Sequence, residues 1–137
     1  MQTLRSDRFL RNVLFLDAAT CTGCGLLMVL AARPFGQLAH LPPELLLYAG
    51  LSLFPIAGFF AWVGAKALHS AAALTAVIGG NLGWAIASFW LLLGGAVAPN
   101  ALGQVFIAAQ AAVVLALTAA ELKGALRGAD SEMKSCG

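Results

Sequence analysis

The stretch "AAALTAVIGGNLGWAIASFWLLLGGAV" (residues 71–97) carries no charged side chain, and Asn81 is its only amide. A helix needs roughly 20 apolar residues to cross a hydrocarbon layer about 30 Å thick. Residues 71–97 exceed that length, and so do the runs at 10–32, 45–65 and 101–122. The connections between them are too short to hold a further domain. Leu and Ala dominate the runs, and both favour helix. The period-2 alternation of a membrane β-barrel is absent. The sequence therefore predicts an all-α membrane protein: four transmembrane helices in an antiparallel bundle, formed by one domain at 1–127, with a mobile cytoplasmic tail at 128–137.

Composition agrees. Of 137 residues, 61% are hydrophobic and 10% charged, against about a quarter charged in soluble domains. Mean hydropathy is +0.88. The net charge of +2 is small and dispersed, so no nucleic-acid partner is expected. The first run continues past any short signal-peptide core and contains Asp17, so it is read as a retained span. A lipid-modified Cys24 is set aside because apolar "GLLMVLAA" follows it.

Arg5, Arg8 and Arg11 precede the first run, Lys66 lies between the second and third, and Lys123, Arg127 and Lys134 follow the fourth. Only Arg33 falls on the other side. Basic residues stay on the cytoplasmic side during insertion. Both termini are expected there, with loops 33–43 and 97–101 outside, in a multi-pass protein of a bacterial plasma (inner) membrane. Pro34, Pro42 and Pro43 break the chain after the first run, Pro99 and Asn100 after the third. The short "KALHS" connection predicts a tight hairpin of spans two and three.

Small residues recur at helical spacing: Gly79 and Gly83 in span three, Ala57, Ala61 and Ala65 in span two, and Ala108, Ala112, Ala116 and Ala120 in span four. Such columns let helix backbones approach closely in lipid, so they are read as packing faces. Pro55 is expected to kink span two, with Ser52 accommodating the freed carbonyl. Trp62 and Trp90 suit the membrane interfaces, and Trp84 an internal position.

Polar residues inside the runs are the functional candidates, because a charge in hydrocarbon is costly and usually faces a protein interior or a pathway. Asp17 is read either as an interior residue or as an interfacial carboxylate, with Lys66 as its candidate partner. Asn81 and Gln110 are read as interhelical hydrogen-bonding amides. Together with Asp17 they are candidates to line one polar cleft. Ser88 shares Asn81's face, and Glu121 continues the face of Gln110 toward the cytoplasm. At about 100° per residue, Asp17, Cys21, Cys24 and Met28 fall on one helical face. Packing is the plainer reading of the sulfur groups, because a buried thiol behaves as a small hydrophobe. The alternative is a soft-metal site at Cys21, Cys24 and Met28. No cofactor is predicted, although a soft metal ion is the one conceivable ligand of that kind. His40 and His69 are read as solvated or interfacial.

"FLDAATCTGCGLL", "GGNLGWAIASFWLLLGG" and "ALGQVFIAAQAAVVLALTAAELKGALR" resemble small bacterial four-span inner-membrane proteins of unassigned function. That resemblance covers most of the chain and implies a fold and a compartment. Cys21 and Cys24 are similar to the first-span pair of mercuric-ion uptake membrane proteins; the second pair of that family has no counterpart beyond Cys136. Quinone-linked thiol oxidoreductases also place Cys-x-x-Cys in four-helix bundles, with loop cysteines that are missing here. The functional expectation is a membrane protein without catalytic machinery, an accessory subunit or small carrier. Soft-metal uptake and membrane thiol–disulfide exchange are the alternatives. The expected partners are the lipid bilayer and either another membrane protein or a second copy.

Overall fold

The computed structural model describes residues 2–136 and is entirely helical apart from turns. The order is α1 (Gln2–Leu30), α2 (Ala32–Ala39), α3 (Pro43–Lys66), α4 (Ala71–Leu93) and α5 (Ala101–Cys136). All but α2 are long and apolar enough to cross a membrane. Their outward faces are strongly apolar: Leu30, Leu93, Trp90 and Ile86 are between 68% and 86% exposed. In water such a surface would aggregate; in lipid it is the expected solvent face.

α1 packs against both α3 and α5, and α4 packs against α5, whereas α3 and α4 scarcely meet. At one end of the molecule the start of α1, the α3–α4 turn and the end of α5 come together. There His69 lies 3.3 Å from Asp7 and 3.7 Å from Glu132. At the other end the Asn100 amide N–H donates to the Ala39 carbonyl at 3.1 Å, and its side chain donates to the Leu38 carbonyl at 2.7 Å. The Asn100 side-chain oxygen also accepts from Gly103 N–H at 3.0 Å, satisfying one of the free donors at the start of α5.

The element boundaries depart from the sequence reading in four places. The expected irregular loop after the first run contains α2. Pro34 is the third residue of that helix, where its missing N–H costs nothing. α4 stops at Leu93 rather than 97, because Gly94 caps it and Gly95 takes φ 72°, which suits glycine. α5 does not end near 122. It continues through the polar tail to Cys136, a segment rich in Ala, Leu, Glu, Lys and Arg that favour helix. The tight hairpin of α3 and α4 is also replaced: the turn is short, but each helix packs on a different partner.

Packing corrects the small-residue reading as well. Gly79 and Gly83 are exposed, and a Cβ added at either would meet nothing within 4 Å. Ala108, Ala112 and Ala116 also face outward, as does Ala65, whereas Ala57 lies in the core and Ala61 packs against it. The close approach instead falls between α1 and α3, at Gly25 and Gly50. A Cβ at Gly50 would stand 2.9 Å from the Met28 Cβ and 3.1 Å from the Gly25 carbonyl oxygen. Ser52 donates to Ala49 O at 2.7 Å, so its hydroxyl serves a different carbonyl from the one Pro55 frees, that of Leu51.

Candidate functional site

α4 buries one stripe, Ala73, Val77, Asn81, Ala85 and Ser88. α5 buries Ile107, Ala111, Leu117, Thr118, Glu121 and Gly124. α1, held between two partners, buries Leu14, Asp17, Ala18 and Cys21. One polar residue from each of these stripes, Asp17, Asn81 and Glu121, meets the others at one point. Asn81 Nδ2 donates to Asp17 Oδ2 at 2.7 Å and to Glu121 Oε2 at 3.0 Å. Asp17 and Glu121 are each 1% exposed and Asn81 is 3% exposed.

One amide nitrogen thus joins two carboxyl groups from different helices. Among the described residues no Lys, Arg or His forms an ion pair with either. Lys66, the expected partner of Asp17, is exposed instead. The interfacial, solvated reading of Asp17 is excluded by its burial. Its second oxygen accepts the Cys21 thiol at 3.7 Å. Glu121 Oε1 is buried with no hydrogen-bond partner. Buried polar atoms are nearly always satisfied, so an orphan oxygen next to a second carboxyl marks a place where a proton or a cation is needed.

Beside this cluster lies a cavity of about 240 Å³ lined by residues of α1, α3, α4 and α5. Asp17, Asn81 and Cys21 are among the residues that line it, and Leu53, Ile56, Trp84 and Phe106 contribute to its largely apolar walls. It lies among four helices, of which α3 and α4 scarcely contact each other. Gln110 also lines it, with its amide nitrogen 3.9 Å from Cys24 Sγ and 3.7 Å from Met28 Sδ. The sulfur stripe is therefore divided: Cys21 belongs to the carboxyl cluster, while Cys24 and Met28 face Gln110. Among the described residues no three His, Cys, Asp or Glu side chains converge as metal ligands. Ser88 stays on its own helix, donating to Trp84 O at 2.8 Å.

The sequence reading associated Asp17, Asn81 and Gln110 with one cleft and placed Glu121 on the continuation of the Gln110 face toward the cytoplasm. It missed the direct sharing of Asn81 by Asp17 and Glu121, and the tie from Cys21. The usable signal was rarity: Asp17 and Glu121 are acidic residues within otherwise uncharged helical stretches. It also missed the set of His69, Asp7 and Glu132, which are far apart in sequence and adjacent only through the fold. No protein-family model matches the chain, and neither curated proteins nor solved structures yielded a match.

Proposed function

We propose that this chain is a four-span bacterial inner-membrane protein, an antiparallel bundle with cytoplasmic termini, that works as a small carrier through an intramembrane cation site at Asp17, Asn81 and Glu121. The observation that carries this reading is the pair of 1%-exposed carboxyl groups on one amide, with Glu121 Oε1 unpartnered. Two bare negative charges there would have no countercharge in a medium where charge is poorly screened. The pair therefore holds a positive charge, and the simplest is a proton shared between the carboxyls. A purely structural amide bridge would be equally served by uncharged residues. The adjoining cavity gives the site a second component, which favours a carrier over an accessory subunit. The Lys/Arg asymmetry supports the orientation, and the exposed apolar faces support lipid contact.

Infrared spectroscopy of the protein in nanodiscs tests the site. At neutral pH the parent should show the C=O band of a protonated carboxyl, and Asp17→Asn/Glu121→Gln should lose it. Absence of that band in the parent, with no bound cation in its place, overturns the reading. Reporter fusions at both termini test the orientation; an external C-terminus refutes it. Purification from native membranes tests the carrier assignment. A stoichiometric protein partner whose binding seals the cavity would convert it to an accessory subunit.

A further inference from the structure

We infer that the basic cleft between the start of α1 and the end of α5 holds the phosphate headgroup of an anionic membrane lipid. The cleft shares no lining residue with the carboxyl cavity. Its ligand depends on the long helices crossing a membrane, not on what Asp17 and Glu121 hold.

Charge sorting carries the ligand class. Gly124 brings α5 against α1: a Cβ there would stand 3.2 Å from the Leu10 Cβ and 3.2 Å from the Phe9 ring. Beyond that contact the two helices flank a cleft of about 460 Å³. Arg5 of α1 and Arg127 and Lys134 of α5 line it, with Asp130 as the single acid. Among the described residues none of the three cations forms an ion pair, although Asp130 lies one helical turn from both Arg127 and Lys134. The neighbouring acids Asp7 and Glu132 are turned away to His69 and do not line the cleft. Like charges drawn together from two helices repel unless an anion lies between them. Three positive charges against one negative select a ligand of net negative charge.

Depth carries the source. α4 begins at Ala71, ten residues before Asn81, and ends at Leu93, twelve residues after it. At 1.5 Å per residue these are about 15 and 18 Å, together roughly one hydrocarbon thickness. The start of α4 therefore marks one edge of the hydrocarbon. Asp17 and Glu121 are level with Asn81 through their hydrogen bonds. Arg5 is twelve residues from Asp17, and Asp130 is nine from Glu121, about 18 and 14 Å by the same rise. The cleft is thus at the depth of lipid phosphates. Arg127 is rooted about 9 Å from that level, with a side chain long enough to reach the edge. Phe9, exposed and also in the lining, is rooted about 12 Å from it, on the hydrocarbon side of Arg5. A cationic rim above an apolar base suits a phosphate that continues into acyl chains. Basic pockets between transmembrane helices hold phosphate headgroups in this way.

Native mass spectrometry of the full chain in mild detergent tests the site, with tetraoleoyl cardiolipin, dioleoyl phosphatidylglycerol and dioleoyl phosphatidylcholine as probes. The salt is about 0.15 M, where charges more than about 8 Å away are largely screened. One anionic lipid per chain should bind at least tenfold tighter than phosphatidylcholine. Arg5→Gln/Arg127→Gln should weaken it about twenty-fivefold, at roughly fivefold per basic residue near the headgroup. Arg8→Gln/Lys66→Gln removes the same charge from the same end of the molecule but outside the cleft, and should change affinity less than about twofold. Asp130→Asn should tighten anionic-lipid binding about fivefold, a gain that misfolding cannot mimic. Equal binding of phosphatidylcholine, equal losses from the two double substitutions, or no gain from Asp130→Asn overturns the inference. Displacement of the lipid by an equal concentration of inorganic phosphate overturns the lipid source in favour of a free phosphate; retention of the lipid supports it.

Discussion

Replacing Asn81 by Ala removes the one donor that serves both buried carboxyls, at 2.7 and 3.0 Å. Interhelical hydrogen bonds in membranes average about 0.6 kcal/mol and reach about 1.7. Bonds to ionised groups lie toward the upper part of such ranges, and both acceptors are 1% exposed in the parent. Two bonds of this kind give an expected loss of about 1–3 kcal/mol. The side chain borders the existing cavity, so little additional cavity cost is expected. Reversible unfolding in mixed micelles with increasing dodecyl sulfate, followed by far-UV circular dichroism, measures the change. Ser88→Ala is the control on the same buried stripe, because its hydroxyl bonds only to its own helix; it should stay within about 0.5 kcal/mol of the parent. In an Asp17→Ala/Glu121→Ala background, Asn81→Ala should cost less than about 0.5 kcal/mol, since nothing remains to receive the bonds. An equal cost in both backgrounds would refute the idea that Asn81 acts by joining the carboxyls.

Glycine substitutions should separate by face. Gly50→Ala should destabilise by about 1–3 kcal/mol, because its Cβ collides with α1, whereas Gly83→Ala, with open space around it, should be neutral or stabilising by up to about 1 kcal/mol on helix propensity; the same unfolding titration reads both, and the reverse order would place the packing face on the wrong side of α4. Asn100→Ala should cost about 1–2 kcal/mol through loss of the α5 cap and of the tie to Leu38, while Asn100→Asp should keep the cap and lose only the tie; a melting temperature unchanged by either would discount that end of the fold. Maleimide labelling in detergent should proceed first at the exposed Cys136, then at the half-buried Cys24, and slowest at the buried Cys21; mass spectrometry of single-cysteine variants checks the order, and rapid reaction of Cys21 would contradict its burial against Asp17.

The existence of the long helices was legible because lipid replaces a buried core as the destination for apolar side chains, so hydropathy alone marks a span. Their ends were less legible. α2 was hidden by Pro34, which reads as a breaker although the first turn of a helix tolerates it. That error mattered for the site. Because α2 prolongs α1, Asn100 at the head of α5 is level with Ala39, not with Leu30. Counted from there, Glu121 lies about 20 residues down α5 and Asp17 about 22 back from Ala39, roughly the same depth at 1.5 Å per residue. With α2 read as a loop, the two acids lose that common level, and Glu121 looks like an end residue of the last span.

The choice of packing face is the more general case, because two signals on the same helix disagreed. In α4, Gly79 and Gly83 announce a groove, and Asn81 between them asks for a hydrogen-bonding partner. Each glycine is two residues from Asn81, about 200° around the helix, so one face cannot present both. In lipid no hydrophobic force decides between the faces, since the surroundings are as apolar as the partner helix. Burying the glycine face would save some dispersion energy but leave an amide in hydrocarbon. Burying Asn81 satisfies it with two acceptors that themselves need a donor. The polar face therefore turns inward and the glycines outward. α5 repeats the conflict: Ala108 and Ala112 each lie two residues from Gln110, and both face outward while Gln110 reaches Cys24 and Met28. Where small-residue spacing and an intramembrane amide compete on one helix, the cost of an unpaired polar group exceeds the gain from closer backbones, and the amide sets the rotation.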